Sequence, residues 1–408
     1  MRREFKVAVL MVAVLMCVSY FAGCGNSTSE SSKSGYHTVV DMRGTKVRVP
    51  DKISRVIDIS DGFTTSVMYS FGVADKVVGL GSDCLKDVDD YSYPTVSGGD
   101  VKYENGMYPV SYLSPLLRKL PAVAKYEEAV NLETIAKLNP DLIVIRKGFG
   151  SMCTAEYGTE QDIQKNIKLI ENLGFPTVVL YGPPCYKKPS VETIYKEITV
   201  LGDAFNKQED AKSLNAYLKD TMEMVRKRTA GVTASKQPRV LFLGLSPNAR
   251  DSGGAGDVLG TDTIESSYLS DLIHAKNAFS ELAGWKMMNT EQILTLNPDA
   301  IVLPTDWGYH PAEEIYTAPY YQNLQELGAV KNKKVSALPY MPYNTAKALE
   351  FPIEVMVTAK AAYPNLFKDV ELSDWVLDFY KNVYHVNAEQ AEGCRSAQWM
   401  DWTVKENQ

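Results

Sequence analysis

The chain has 408 residues, 45% of them apolar, and a formal net charge of −7. Such a length exceeds one comfortable core and suits two lobes, while an acidic balance with no dense basic face excludes a nucleic-acid partner. Its four histidines and six cysteines show no CxxC, no HExxH and no paired His/Cys spacing, which argues against structural zinc and zinc hydrolysis and implies no cofactor.

Arg2, Arg3 and Lys6 precede an apolar run over 7–21 that is too short for a comfortable membrane span and ends in small residues. This reads as a secretory signal peptide over 1–23. The end of that run, Phe21-Ala22-Gly23-Cys24, resembles a bacterial lipobox, which implies acylation of Cys24; the departure is Phe21, where leucine is usual. Residues 24–35 are polar and Ser-rich, so they cannot build a core and read as a flexible tether. An anchor of more than one acyl chain would hold the chain stably on the extracytoplasmic face of the cell membrane.

Folding is expected to begin near Tyr36. Alternating Val39, Val47 and Val49 around Arg43-Gly44 predict a hairpin, and 55–59 a strand, followed by a helix over 64–71 and a strand from Asp75. That rhythm belongs to a parallel sheet. Residues 85–130, broken by Pro94, Gly98, Gly99, Gly106 and Pro109, read as irregular; their many tyrosines could line a binding mouth or simply pack. Next comes a stretch that occurs twice: 131–145, NLETIAKLNPDLIVI, and 289–303, NTEQILTLNPDAIVL, share nine of fifteen positions. Each copy is a short helix stopped at Asn-Pro-Asp and a buried strand, because proline disfavours helical geometry in the residue before it and the apolar runs lack polar alternation. A helix near 161–173 and a strand over 177–180 complete a first lobe over 36–190.

Residues 191–230 carry apolar positions at helical spacing and predict one long or two consecutive helices, able to cross between lobes. A second βα series then fills 231–385: a strand over 240–243, a glycine-rich loop at 253–256, a helix over 267–274, the second repeat, a strand at 335–338 and helices near 350–362 and 372–384. Residues 386–408 read as a tail. Cys84, Cys153, Cys185 and Cys394 match no disulfide framework and read as isolated thiols. The fold class is therefore α/β, with two Rossmann-like parallel-sheet lobes joined by a long connecting helix.

Over about 36–385 the chain resembles the substrate-binding proteins of bacterial ABC importers for iron-siderophore, haem and cobalamin. The likeness rests on Asp41-x-x-Gly44 with Val49-Pro50, Arg55-Val56-Ile57, Glu133 with Pro140-Asp141, and Glu291 with Pro298-Asp299. It implies a tethered receptor that delivers a small-molecule metal chelate to a permease dimer and its ATPase; an oxyanion such as molybdate or tungstate, or a non-transport surface lipoprotein, is the alternative. An enzyme such as a chelatase would need a histidine and a carboxylate in the cleft, and no nucleophile, base and orienting group stand at recognisable spacing.

Ligands of doubly wound sheets bind beyond the carboxyl ends of the strands. The loops at those ends offer Asp61, Thr64, Tyr126, Arg146 and Lys147 in the first lobe, and Asn248, Arg250, Trp307, Tyr309, Tyr340 and Tyr343 in the second. Aromatic platforms with arginine suit a chelate, and His310 is the candidate for direct metal coordination; His310 with Asp306 is the pair that an enzyme's histidine and carboxylate would have to be. Glu133 and Glu291 hold the same position in the two repeats, where the helix dipole favours a carboxylate; the resemblance implies that they pair with arginines of the permease dimer.

Overall fold

The computed structural model describes residues 35–124, 130–148, 160–305, 309–342, 344 and 346–405. A short antiparallel hairpin, β1 (Tyr36–Val40) and β2 (Lys46–Pro50), leads into β3 (Val56–Ile59) and β4 (Val77–Leu80). After an excursion through β5 (Asp89–Pro94) and β6 (Asp100–Gly106) the chain returns to β7 (Leu142–Lys147) and β8 (Thr177–Tyr181). Strands β4-β3-β7-β8 form one all-parallel sheet. Its central residues, Val56, Ile57 and 142–145, are fully buried, which is why the sequence there shows no alternation.

The second lobe contains β9 (Arg239–Gly244), β10 (Gly256–Leu259), β11 (Lys276–Asn277), β12 (Trp285–Met288), β13 (Ala300–Leu303) and β14 (Val335–Ala337). The order is β12-β10-β9-β13-β14, with β11 on β9; β9, β13 and β14 run parallel, and β10 and β12 are antiparallel. Between the sheets lie the helices Glu192–Ala204 and Gln208–Thr229. The second has 22 residues and spans about 33 Å. It buries Ala211, Leu214, Leu218, Met222 and Val225 at helical spacing in a core that contains residues of both lobes.

Two sequence expectations need correction, and one open alternative is decided. Of the two readings of 191–230, the chain takes two consecutive helices and not a single long connecting one: the first ends at Phe205, and Asn206 turns the chain at φ 56°. Gly202 lets the two helices touch there, since a Cβ at Gly202 would lie 2.5 Å from that of Ala211. Residues 89–106 are an antiparallel hairpin whose turn uses Gly98 and Gly99 at φ 89° and 83°. The C-terminal segment is no loose tail, because Asn387 and Gln390 form a capping box that starts the helix Ala388–Ala397, and Met107 N–H donates to the Ala397 carbonyl at 3.0 Å.

The repeat is structural as well as sequential. Asn131 and Asn289 cap their helices through side-chain oxygens, and Asn139 and Asn297 end them at φ 44° and 39°. The Asp141 carboxylate accepts from Ser54 and Arg55 N–H, that of Asp299 from Arg239 N–H, and each aspartate N–H donates back to the arginine carbonyl at 2.8 Å. Each Asn-Pro-Asp thus pins a helix end to the start of the neighbouring strand.

Candidate functional site

β3 and β7 are adjacent parallel strands, so the residues just beyond them meet. Asp61 lies after β3, and Arg146 is the penultimate residue of β7; both are buried. The Arg146 Nε and Nη2 donate to the two Glu197 oxygens at 2.7 and 3.0 Å, and Nη1 donates to Asp61 at 3.0 Å. The remaining N–H groups reach across to the second lobe, where the carbonyls of Lys347 and Ala346 accept at 2.9 and 2.8 Å. All five guanidinium donors are used, and the Phe63 ring covers the plane at 4.0 Å. Burial alone would weaken the charge, but Asp61 and Glu197 outweigh it and hold Arg146 firmly protonated.

Across the junction Lys347, itself buried, bonds Glu265 at 2.5 Å and Glu354 at 2.9 Å. Burial raises the Glu354 carboxyl against the pull of Lys347. Nearby Glu350 accepts from the Tyr384 hydroxyl, and burial pushes its carboxyl up to about 7; burial likewise pushes Asp58 up to about 6.

A second polar centre follows β9 and β13. Arg250 donates to the Leu245 carbonyl at 2.6 Å and the Tyr321 hydroxyl at 2.8 Å, with the Tyr320 ring 4.2 Å from its centre. Glu314, fully buried, accepts from Tyr91 at 2.7 Å and Tyr320 at 2.8 Å, and lies 3.6 Å from His310 Nδ1 and 3.8 Å from Arg250. Because Tyr91 belongs to the hairpin β5–β6, this centre ties a first-lobe segment to the second lobe. Tyr340 extends the tie by donating to Asp89, and Val96 N–H by donating to the Thr317 carbonyl at 2.8 Å. Trp399 stacks on Tyr340 at 4.1 Å, touches Tyr103 and Tyr309, and donates its indole N–H to the Glu104 carbonyl. A groove of about 530 Å³ flanks this aromatic wall, lined by Lys102, Tyr112, Glu313 and Trp402 among others.

The structure therefore brings Asp61 and Arg146 together on one side, and Arg250, His310, Tyr309 and Tyr340 on the side of the aromatic wall. Thr64 is fully buried in the first turn of the helix Phe63–Ser70, and the ammonium of half-buried Lys147 lies 5.1 Å from the Tyr181 ring centre. Asn248 is exposed on the helix Pro247–Asp251, and Glu133 and Glu291 are exposed in their first turns. Tyr126, Trp307, Tyr343 and Cys24, with Asp306 and Cys153, lie outside the described residues. Among the described cysteines, Cys84 and Cys394 are free thiols, and the Cys185 thiol donates to the Lys147 carbonyl at 3.2 Å. Sequence reading missed Glu197, Glu265, Glu314, Lys347 and Glu354. A signal existed for two of them: Glu197 shares the apolar helix face of Ile194 and Ile198, and Glu354 interrupts the apolar run 351–357, positions where a carboxylate needs a buried partner.

Two α/β lobes whose strand-end loops converge across a helical connection define a bilobal ligand-binding protein. The chain belongs to the periplasmic binding protein family, whose model matches residues 61–341. It is similar to YvrC of Bacillus subtilis, an uncharacterised ABC transporter substrate-binding lipoprotein, at 24% identity over 374 residues, covering 89% of this chain and 99% of that protein. Its fold is similar to that of the Haemophilus influenzae molybdate-binding protein MolA bound to molybdate (TM-score 0.63, 20% identity, 86% of this chain and 98% of that one). The same holds for the Helicobacter pylori protein CeuE in its nickel-histidine complex (TM-score 0.60, 20% identity, 88% and 98%). Members of the family are periplasmic or extracytoplasmic substrate-binding proteins, not enzymes, that bind small ligands and work with the permeases and ATPases of ABC transporters. Among the described residues no helix is long and apolar enough to cross a membrane.

Proposed function

We propose that this chain is a lipid-anchored, extracytoplasmic substrate-binding protein that captures a metal chelate (iron-siderophore, haem or corrinoid) between its lobes and passes it to an ABC importer. The observation that carries this reading is the meeting of strand-end loops from both lobes, Arg146 of one bonding the backbone of 346–347 of the other. A ligand seated at such a junction touches both lobes at once and so stabilises their joined form. Tyr309, Tyr340 and Trp399 are buried against one another, so they hold the hairpin and the C-terminal segment against the second lobe beside that junction. Cys24 is the proposed acylation site, and Trp307 and Tyr343 are further proposed ligand contacts on the strength of their loops.

Delivery follows from the repeat. Exposed Glu133 and Glu291, one per lobe, are proposed to meet basic patches on the two halves of a permease dimer, a charge-steered contact that weakens with salt. The test has two parts. Ferric hydroxamates, haem, cobalamin, molybdate and tungstate are screened for thermal stabilisation of the full-length chain in detergent; a ligand at a hundred times its Kd adds about 2.7 kcal/mol. Cells carrying Glu133→Ala with Glu291→Ala should then bind the same ligand but not import it. Normal import by the double variant would refute the docking role.

A further inference from the structure

The junction between the lobes is acidic at its core. Arg146 and Lys347 face Asp61, Glu197, Glu265 and Glu354 in one contiguous network, since Arg146 bonds the Lys347 carbonyl. Two buried cations are thus matched against four carboxylates, and neither cation has charge to spare. Every N–H of Arg146 is spent on a protein acceptor, and Lys347 sits between two carboxylates. Glu350 adds an independent observation. It is 1% exposed, and its Oε2 has no hydrogen-bond partner among the described residues, while Oε1 takes the Tyr384 hydroxyl. A buried carboxylate oxygen left in that condition is an acceptor awaiting a donor or a cation. Glu350 stands three residues from Lys347 and four from Glu354, at the N-terminal boundary of the helix Phe351–Ala362 that carries Glu354. The second centre does not reverse the balance, because Arg250 there faces Glu314, with His310 beside it; Lys147, whose ammonium lies over the Tyr181 ring, is the cation next in line.

We propose that the space between the lobes takes a ligand of neutral or positive net charge and rejects bare oxyanions and polyanionic chelates. This rests on the binding role given above and narrows its substrate class. An anion entering here gains no uncommitted guanidinium from Arg146 and meets surplus carboxylate, whereas a cationic complex is drawn by that surplus. At an effective dielectric of about 20, one uncompensated unit charge roughly 8 Å away changes affinity by a factor of about 30.

Probes of similar size and the same metal separate charge from shape. The full-length chain in detergent is titrated with a ferric tris-hydroxamate of charge 0, one of charge +1, a ferric tris-catecholate of charge −3, aquocobalamin and molybdate, with Kd read from intrinsic tryptophan fluorescence. The expected result is binding of at least one neutral or cationic complex, more than about 30-fold tighter than the tris-catecholate and molybdate. Tighter binding of the tris-catecholate or of molybdate overturns the charge assignment and leaves the receptor role standing. Failure of every probe, whatever its charge, counts against the receptor role and takes the charge assignment with it. Glu350→Gln supplies the local control: it keeps the shape, removes the orphaned charge, and should narrow the cation-over-anion preference several-fold. An unchanged preference in a folded variant would overturn the role given to that carboxylate.

Discussion

At the amino ends of the parallel strands, the turns at Asn139 and Asn297 carry the same left-handed cap, the same proline and the same aspartate-to-arginine backbone bonds in both lobes. At the carboxyl ends nothing matches. Arg146 is enclosed by two carboxylates and two carbonyls, whereas Arg250 rests on tyrosines and a carbonyl, with one glutamate, Glu314, 3.8 Å away. The duplicated end is scaffold, where one solution serves both lobes. On the proposed function the other end faces a single ligand, and one asymmetric body has no reason to be held the same way twice.

The largest expected effect lies on the unmatched side. Arg146→Met should cost about 3–5 kcal/mol in denaturant-unfolding free energy, because it leaves Asp61 and Glu197 buried without their cation; a loss below about 1 kcal/mol would show that the network is not what holds this junction. Trp399→Ala should cost about 3 kcal/mol, since the indole packs against Tyr340, Tyr103 and Tyr309 and closes the contact between hairpin and C-terminal helix.

The pH dependence has a defined sign. Glu350 titrates near 7 in the fold and near 4.5 in the unfolded chain. The folded state therefore holds the extra proton between those values, and the stability this group contributes is complete below about 4.5 and lost as pH rises to about 7. Asp58, raised to about 6, acts in the same direction. Chemical denaturation from pH 4.5 to 7.5 should show a falling component that is reduced in Glu350→Gln.

Smaller and paired effects test the duplicated side. Asn139→Ala and Asn297→Ala should each cost about 1 kcal/mol, equally in the two lobes, because alanine pays the left-handed penalty that asparagine largely escapes. Unequal costs would break the equivalence of the repeats. The smallest effect is on shape. With the helix Gln208–Thr229 and the hairpin β5–β6 both spanning the lobes, scattering profiles with and without ligand should nearly superimpose.

These contrasts explain what could be read in advance. The buried strands, the repeat, most helices and the strand-end loops are local signals, set by apolar runs and by Asn-Pro-Asp. The hairpin β5–β6 escaped because its outward residues alternate with tyrosines whose partners, His310 and Glu314, lie more than 200 positions on. Arg146 was found as a strand-end cation, but its partners Asp61 and Glu197 stand 85 and 51 positions away, and periodicity carries no information about such pairing. The C-terminal helix carries its own local signal, the capping-box spacing Asn387-x-x-Gln390.

The central claim is capture between the lobes at their unmatched edge. Amide hydrogen exchange of the full-length chain, with and without the tightest-binding probe from the charge series, tests it directly. Added protection should appear in both lobes together, at 59–62 and 146–148 and at 245–250 and 338–342, and be absent from the turns at Asn139 and Asn297. Protection confined to one lobe, or to the outer groove around Lys102 and Trp402, would contradict it.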